Sequence, residues 1–196
     1  MRRLALALGL SLVVLSALPS CSATVGVNEV YMSIDSDGTR RRTTFFTDTQ
    51  TIVCVIDLAS GRDDGTLEAV IRQVARFDGT RLAPADRVLV ALDQAIGKGK
   101  QKVALTLTKK DPLTGEEKAE SPYPVGQYRC EVRIDGKAQD GASFNVDFAP
   151  CPTAQILPGS KCSEFYRPLT KCPSFGASSK EPNACTCDDR GVWACT

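Results

Sequence analysis

Nine cysteines and no histidine limit what chemistry this chain can do. Without an imidazole there is no Ser-His or Cys-His pair to activate a nucleophile. A zinc centre would have to be all-thiolate, with Cys185-Thr186-Cys187 as its chelating pair. The carboxylates offer little more: Glu116-Glu117 and Asp188-Asp189 fall in polar loops, where solvated charge accounts for them. Asp35, Asp37 and Gly38 echo the start of a calcium loop, but the later acidic ligands do not follow, and a plain turn explains them. No glycine-rich loop of the phosphate-cradling kind is present. The expectation is a protein that is not an enzyme, holds no cofactor or metal, and uses its cysteines as cross-links.

Cross-linking requires an oxidising compartment, and the first residues supply the route to one. Met1 to Ser20 reads as a secretory signal peptide. Arg2 and Arg3 form its positive start, and Leu4 to Leu18 is an apolar run shorter than the ~20 residues of a spanning helix. The run ends in Leu18-Pro19-Ser20-Cys21, which resembles the lipobox of bacterial lipoproteins. In that motif the cysteine is acylated and becomes the new N-terminus. The resemblance implies lipidation at Cys21, a tether over residues 21–26, and an anchor in the outer membrane, since Ser22 rather than Asp follows the cysteine. Whether the protein faces the surface or the periplasm stays open. Several acyl chains, at about 0.8 kcal/mol per buried methylene, make such an attachment stable. The other cysteines, Cys54, Cys130, Cys151, Cys162, Cys172, Cys185, Cys187 and Cys195, are even in number and read as four disulfides.

The clearest strand follows Pro124-Val125-Gly126. Tyr128, Cys130, Val132 and Ile134 alternate with Gln127, Arg129, Glu131 and Arg133, the pattern of one buried and one wet face. A tyrosine two residues before a cysteine, after a glycine turn, resembles the tyrosine corner of immunoglobulin-like sandwiches. On that resemblance Cys130 takes an inward-facing partner, and Cys54, in Thr51 to Leu58, supplies it. Ile71 stands about where an antibody-type domain carries its core tryptophan, which places the chain among divergent immunoglobulin-like domains of bacterial surface proteins. Further strands are expected over Val27 to Asp35, Thr66 to Val74 and Gln101 to Thr108, with a last one turning Phe144, Val146 and Phe148 inward. Ser36-Asp37-Gly38-Thr39 signals a hairpin returning through Arg40 to Phe46. Pro84 to Gly97 carries Ala85, Val88, Leu89, Leu92 and Ile96 at helical spacing and is expected to form a short helix or mixed crossover, although Val88-Leu89-Val90 would also suit an edge strand. The fold class expected for residues 27–149 is thus all-β, an immunoglobulin-like antiparallel β-sandwich of about seven strands.

Composition changes at Pro150. Residues 150–196 hold six cysteines and few aliphatics, too little apolar area for a core without covalent staples. The Cys185-Thr186-Cys187-Asp188 and Trp193-Ala194-Cys195 elements resemble small cysteine-rich modules that end exported lipoproteins of gliding soil bacteria. Cys185 and Cys187 are too near for an unstrained bridge to each other, so each is expected to reach elsewhere. The remaining pairings are open.

Lys+Arg total 24 against Asp+Glu 23, and loss of the leader arginines takes the net charge from +1 to −1. Such a balance does not suit a nucleic-acid partner. Arg40-Arg41-Arg42 and the lysines at 98, 100, 102, 109 and 110 read as solvated edges. Location and architecture together favour a lipid-anchored envelope module for binding or adhesion, its partner another envelope protein or a glycan, with a gliding-motility complex as one setting. The alternatives are a periplasmic-face structural or assembly lipoprotein and an extracellular protease inhibitor.

Overall fold

Alternation of apolar and polar side chains recurs along the chain, and wherever it does the backbone is extended. The computed structural model describes residues 26–59, 64–97, 102–109, 116, 121–162, 165–174 and 183–196, and every regular element among them is a strand. Cys21, the signal peptide, and the lysines at 98, 100 and 110 lie outside the described residues.

Two sheets pack face to face. One consists of β1 (Val27–Ser33), β3 (Ile52–Leu58) and β6 (Lys102–Leu107), in the order β1-β3-β6. The other contains β2 (Thr44–Phe46), β4 (Gly65–Phe77), β5 (Leu82–Ile96), β7 (Gly126–Ile134) and β9 (Ala142–Asp147), in the order β2-β9-β7-β4-β5; β8 (Lys137–Ala138) is an added piece on β7. All pairings are antiparallel except β2 with β9. Inward side chains of both sheets form one core, with Ile52, Cys54 and Ile56 from β3 meeting Leu67, Ile71, Tyr128, Cys130 and Val132 from the other side. The Cys54–Cys130 disulfide crosses this core with Cα atoms 6.3 Å apart, and Ile71 sits beside Cys130 on the neighbouring strand. Strand β3 is covered on its second face too, where Val53 and Val55 pack with Tyr31.

Several sequence expectations need correction. Residues 84–97 form neither helix nor crossover: the whole of β5 pairs with β4, from Gly65↔Ile96 to Phe77↔Leu82. Helical spacing misled because register breaks between Ile71 and Arg72, and between Gln73 and Ala75, disturb the strand's alternation of faces. Pro84 is tolerated because β5 is an edge strand with one unpaired side. The hairpin after Ser36-Thr39 returns only to Arg42, whose N–H donates to the Met32 carbonyl at 3.0 Å; the chain then crosses to the other sheet as β2. Phe148 lies past the end of β9, half buried, against Phe77 rather than in the core.

The last segment has a sheet of its own, β10 (Lys171–Ser174), β11 (Asn183–Cys187) and β12 (Trp193–Cys195). Bridges Cys151–Cys172, Cys162–Cys187 and Cys185–Cys195 link it. Its core is Ile156, Trp193 and four of those cysteines, with Tyr166 tilted against Trp193 at 5.2 Å between centroids. Thr47 ties this module to the sandwich. The buried Thr47 hydroxyl donates to the Phe165 carbonyl at 2.7 Å and accepts from the Ala149 N–H at 3.1 Å.

Candidate binding surface

The start of β7 is held by the corner that Tyr128 makes. Its phenol, 1% exposed, donates to the Pro124 carbonyl and accepts from the Gln73 amide at 3.0 Å. Burial pushes this phenol well above the usual tyrosine range, against the opposing hydrogen bond from Gln73 and the Arg76 and Arg87 charges. Gly126 lets the turn close, because a Cβ there would stand 2.2 Å from the Ala75 carbonyl oxygen. The corner thus sets where β7 begins relative to β4, and beside that start the outer surface of the larger sheet is indented.

The recess holds about 280 Å³. Its apolar part is Phe77, at the end of β4, edge-to-face with Phe148 at 5.3 Å, with the exposed Leu82 and Val125 alongside. Its polar part comes from Gln127 and Asn145, opposed in register across β7 and β9, then Asp147 two residues on, and Arg167 from the C-terminal module. All four polar side chains are exposed, and among the described residues none of them is hydrogen-bonded or ion-paired to another protein group. A second recess of about 300 Å³ lies by β2, lined by Ile34, Arg40, Arg42, Phe46 and Thr49.

The residues singled out in the sequence are mostly engaged within the protein. Asp35 gives no cation loop: burial would raise its pKa, but bonds from Thr39, Ser33 and Arg40 outweigh that and hold the carboxylate well below its ordinary value. Arg41 pairs with Glu29 at 2.6 Å and stacks its guanidinium 3.7 Å from the Tyr31 ring centre. Asp188 accepts from the Arg190 guanidinium, and from the N–H groups of Val192 and Arg190, which lowers its pKa. Lys109 lies 5.0 Å over the Tyr123 ring. Glu117 falls outside the described residues. Sequence reasoning saw Gln127 only as an outward side chain and gave no weight to Phe77, Asn145, Asp147 or Arg167. The strand period marks Gln127 as exposed, but nothing local signals that Arg167 from the next module will meet it.

No family model matches the chain, and no curated protein matches it. Among solved structures, it is similar to the alkylpurine DNA glycosylase AlkC of Pseudomonas fluorescens, bound to DNA containing an abasic site analog. The identity is 15% and the TM-score 0.37, over 63% of this chain and 30% of that one. This chain therefore spans less than a third of that protein, and a likeness this slight carries no functional argument.

Proposed function

We propose that the protein is a lipid-anchored module of a bacterial outer membrane, whose immunoglobulin-like domain binds another envelope protein or a glycan without catalysing a reaction. The observation that carries this reading is the cysteine pairing. Eight cysteines bridge one another, so Cys21 has no bridging partner left in this chain. A cysteine that those bridges do not use, placed behind Leu18-Pro19-Ser20, fits the acylation motif. The immunoglobulin-like reading is supported by the Tyr128 corner and by the bridge joining β3 to β7. A cross-linked scaffold whose regular elements, among the described residues, are all strands suits display at a membrane surface. A contact or motility complex of a gliding bacterium is the setting that the C-terminal module's resemblance suggests.

Cys21→Ala tests the anchor. Labelled palmitate should be incorporated by the parent and absent from the variant, which should leave the membrane fraction. A variant that stays membrane-bound without label refutes lipidation. Protease treatment of intact cells assigns the face, and capture of partners from the protein's own envelope tests binding.

A further inference from the structure

Building on the binding-module reading, we infer that the recess beside the start of β7 is a saccharide site for a neutral, hydroxyl-rich glycan, with Gln127, Asn145, Asp147 and Arg167 as its polar contacts and Phe77 and Phe148 as its apolar wall.

Three features select this ligand class. First, the recess offers side chains rather than backbone. β7 lies between β9 and β4, and β9 is paired with both β7 and β2, so the main-chain groups of the floor are engaged in the ladders. An extended peptide draws its affinity from a row of free main-chain groups on a sheet edge, and of the strand residues lining the recess only Leu82, at the start of the edge strand β5, has an unpaired side. Second, the charge balances: the lining holds one carboxylate, Asp147, one guanidinium, Arg167, and two neutral carboxamides, Gln127 and Asn145. That set donates and accepts in equal measure, as alternating ring hydroxyls do, and it lacks the cationic excess that a phosphorylated or sulfated ligand needs. Third, polar and apolar parts lie side by side. The C–H face of a sugar ring packs on aromatic surface while its rim hydroxyls reach carboxamides, and about 280 Å³, just under the usual range of ligand sites, suits a single ring of a longer chain.

The test uses the full-length protein purified in detergent, against immobilised neutral hexose and N-acetylhexosamine oligosaccharides, sulfated oligosaccharides, and a peptide library. At least one neutral glycan should bind. Asn145→Ala and Gln127→Ala should each raise its Kd by about tenfold or more, the loss of a well-placed polar contact. Arg133→Ala, on the same outer face but away from the recess, should change nothing. Retention of all four disulfides and of the thermal midpoint shows that the variants are folded. Three results overturn the inference: no neutral glycan binding, binding unaltered by both recess variants, or preference for peptides or sulfated glycans. If the Asn145 and Gln127 variants still capture the parent's envelope partner while glycans do not bind, the saccharide site is wrong and the binding module stands. If glycans bind at the recess but no envelope partner or lipid is found, the envelope reading fails alone.

Discussion

Tyr128→Phe removes one oxygen from the corner and nothing else, since the ring still stacks on Phe144 at 5.0 Å. That oxygen serves two groups. The Pro124 carbonyl loses its donor, and the Gln73 amide, only 3% exposed, loses its acceptor at a site its burial closes to bulk solvent. A net hydrogen bond contributes about 1 kcal/mol, and an orphaned buried amide costs a further 1 to 3, so the variant should lose about 2 to 4 kcal/mol. Gln73→Met takes away the orphan. The double variant should therefore be less damaged than the sum of the singles, by about 1 to 2 kcal/mol. Urea denaturation of the oxidised protein reads both quantities, with an unchanged m-value as the sign that the denatured state is not altered. A loss under about 1 kcal/mol, or strict additivity of the two substitutions, would refute the account of the corner as a coupled, water-excluded pair.

Thr47→Val should weaken the seam between sandwich and module by about 1 kcal/mol, because the Ala149 N–H keeps its second acceptor, the Phe165 carbonyl at 2.9 Å; hydrogen exchange at Ala149 should quicken while β3 and β7 stay protected. Alkaline stability should follow Tyr123, whose pKa burial raises to about 12 from an ordinary value near 10, together with Tyr128. A raised folded pKa gives stability that is complete below about pH 10 and lost as pH climbs toward the folded value, so urea midpoints should fall across that interval and fall less in Tyr123→Phe. Replacing Cys54 and Cys130 by Ala, a bridge spanning 76 positions, should destabilise by about 4.5 kcal/mol on loop entropy alone, against about 2.8 for Cys185 and Cys195, 10 apart. The reverse order in thermal midpoints would show that loop length does not govern these bridges.

What the sequence made legible were the features written in local pattern. Period-two alternation located β6 and β7 to within a residue or two, because each has one face in the core and one in water, while β3, buried on both faces, was legible as a short apolar run. Strand β5 was read chiefly as a helix for a physical reason: as the sheet's edge it buries only Ile96 at its end, and its two register breaks replace the period of two with something nearer to a helix. The crossing of β2 to the opposite sheet was equally hidden, since Thr44-Phe45-Phe46 reads the same whichever sheet receives it. The recess was beyond reach for a similar reason. It joins the ends of three strands to a residue of another module, and such a meeting is decided by tertiary packing, not by neighbours in the chain.

Arg167 shows how the module's cross-links bear on that recess. Two residues before it, the Phe165 carbonyl accepts from both Thr47 and Ala149, which fixes the segment to the sandwich. Two residues after it, the Leu169 N–H donates to the Cys187 carbonyl at 2.9 Å, and Cys187 is bridged to Cys162. The short span between those anchors has little freedom, so a guanidinium on a long side chain starts from a fixed base. The module lacks the aliphatic core to hold that base unaided, for four of the six residues in its buried cluster are cysteines. Its bridges thus do in the module what apolar packing does in the sandwich. Their reduction should release Arg167 while Cys54–Cys130, sealed in the larger core at 0% exposure, keeps the floor of the recess in place.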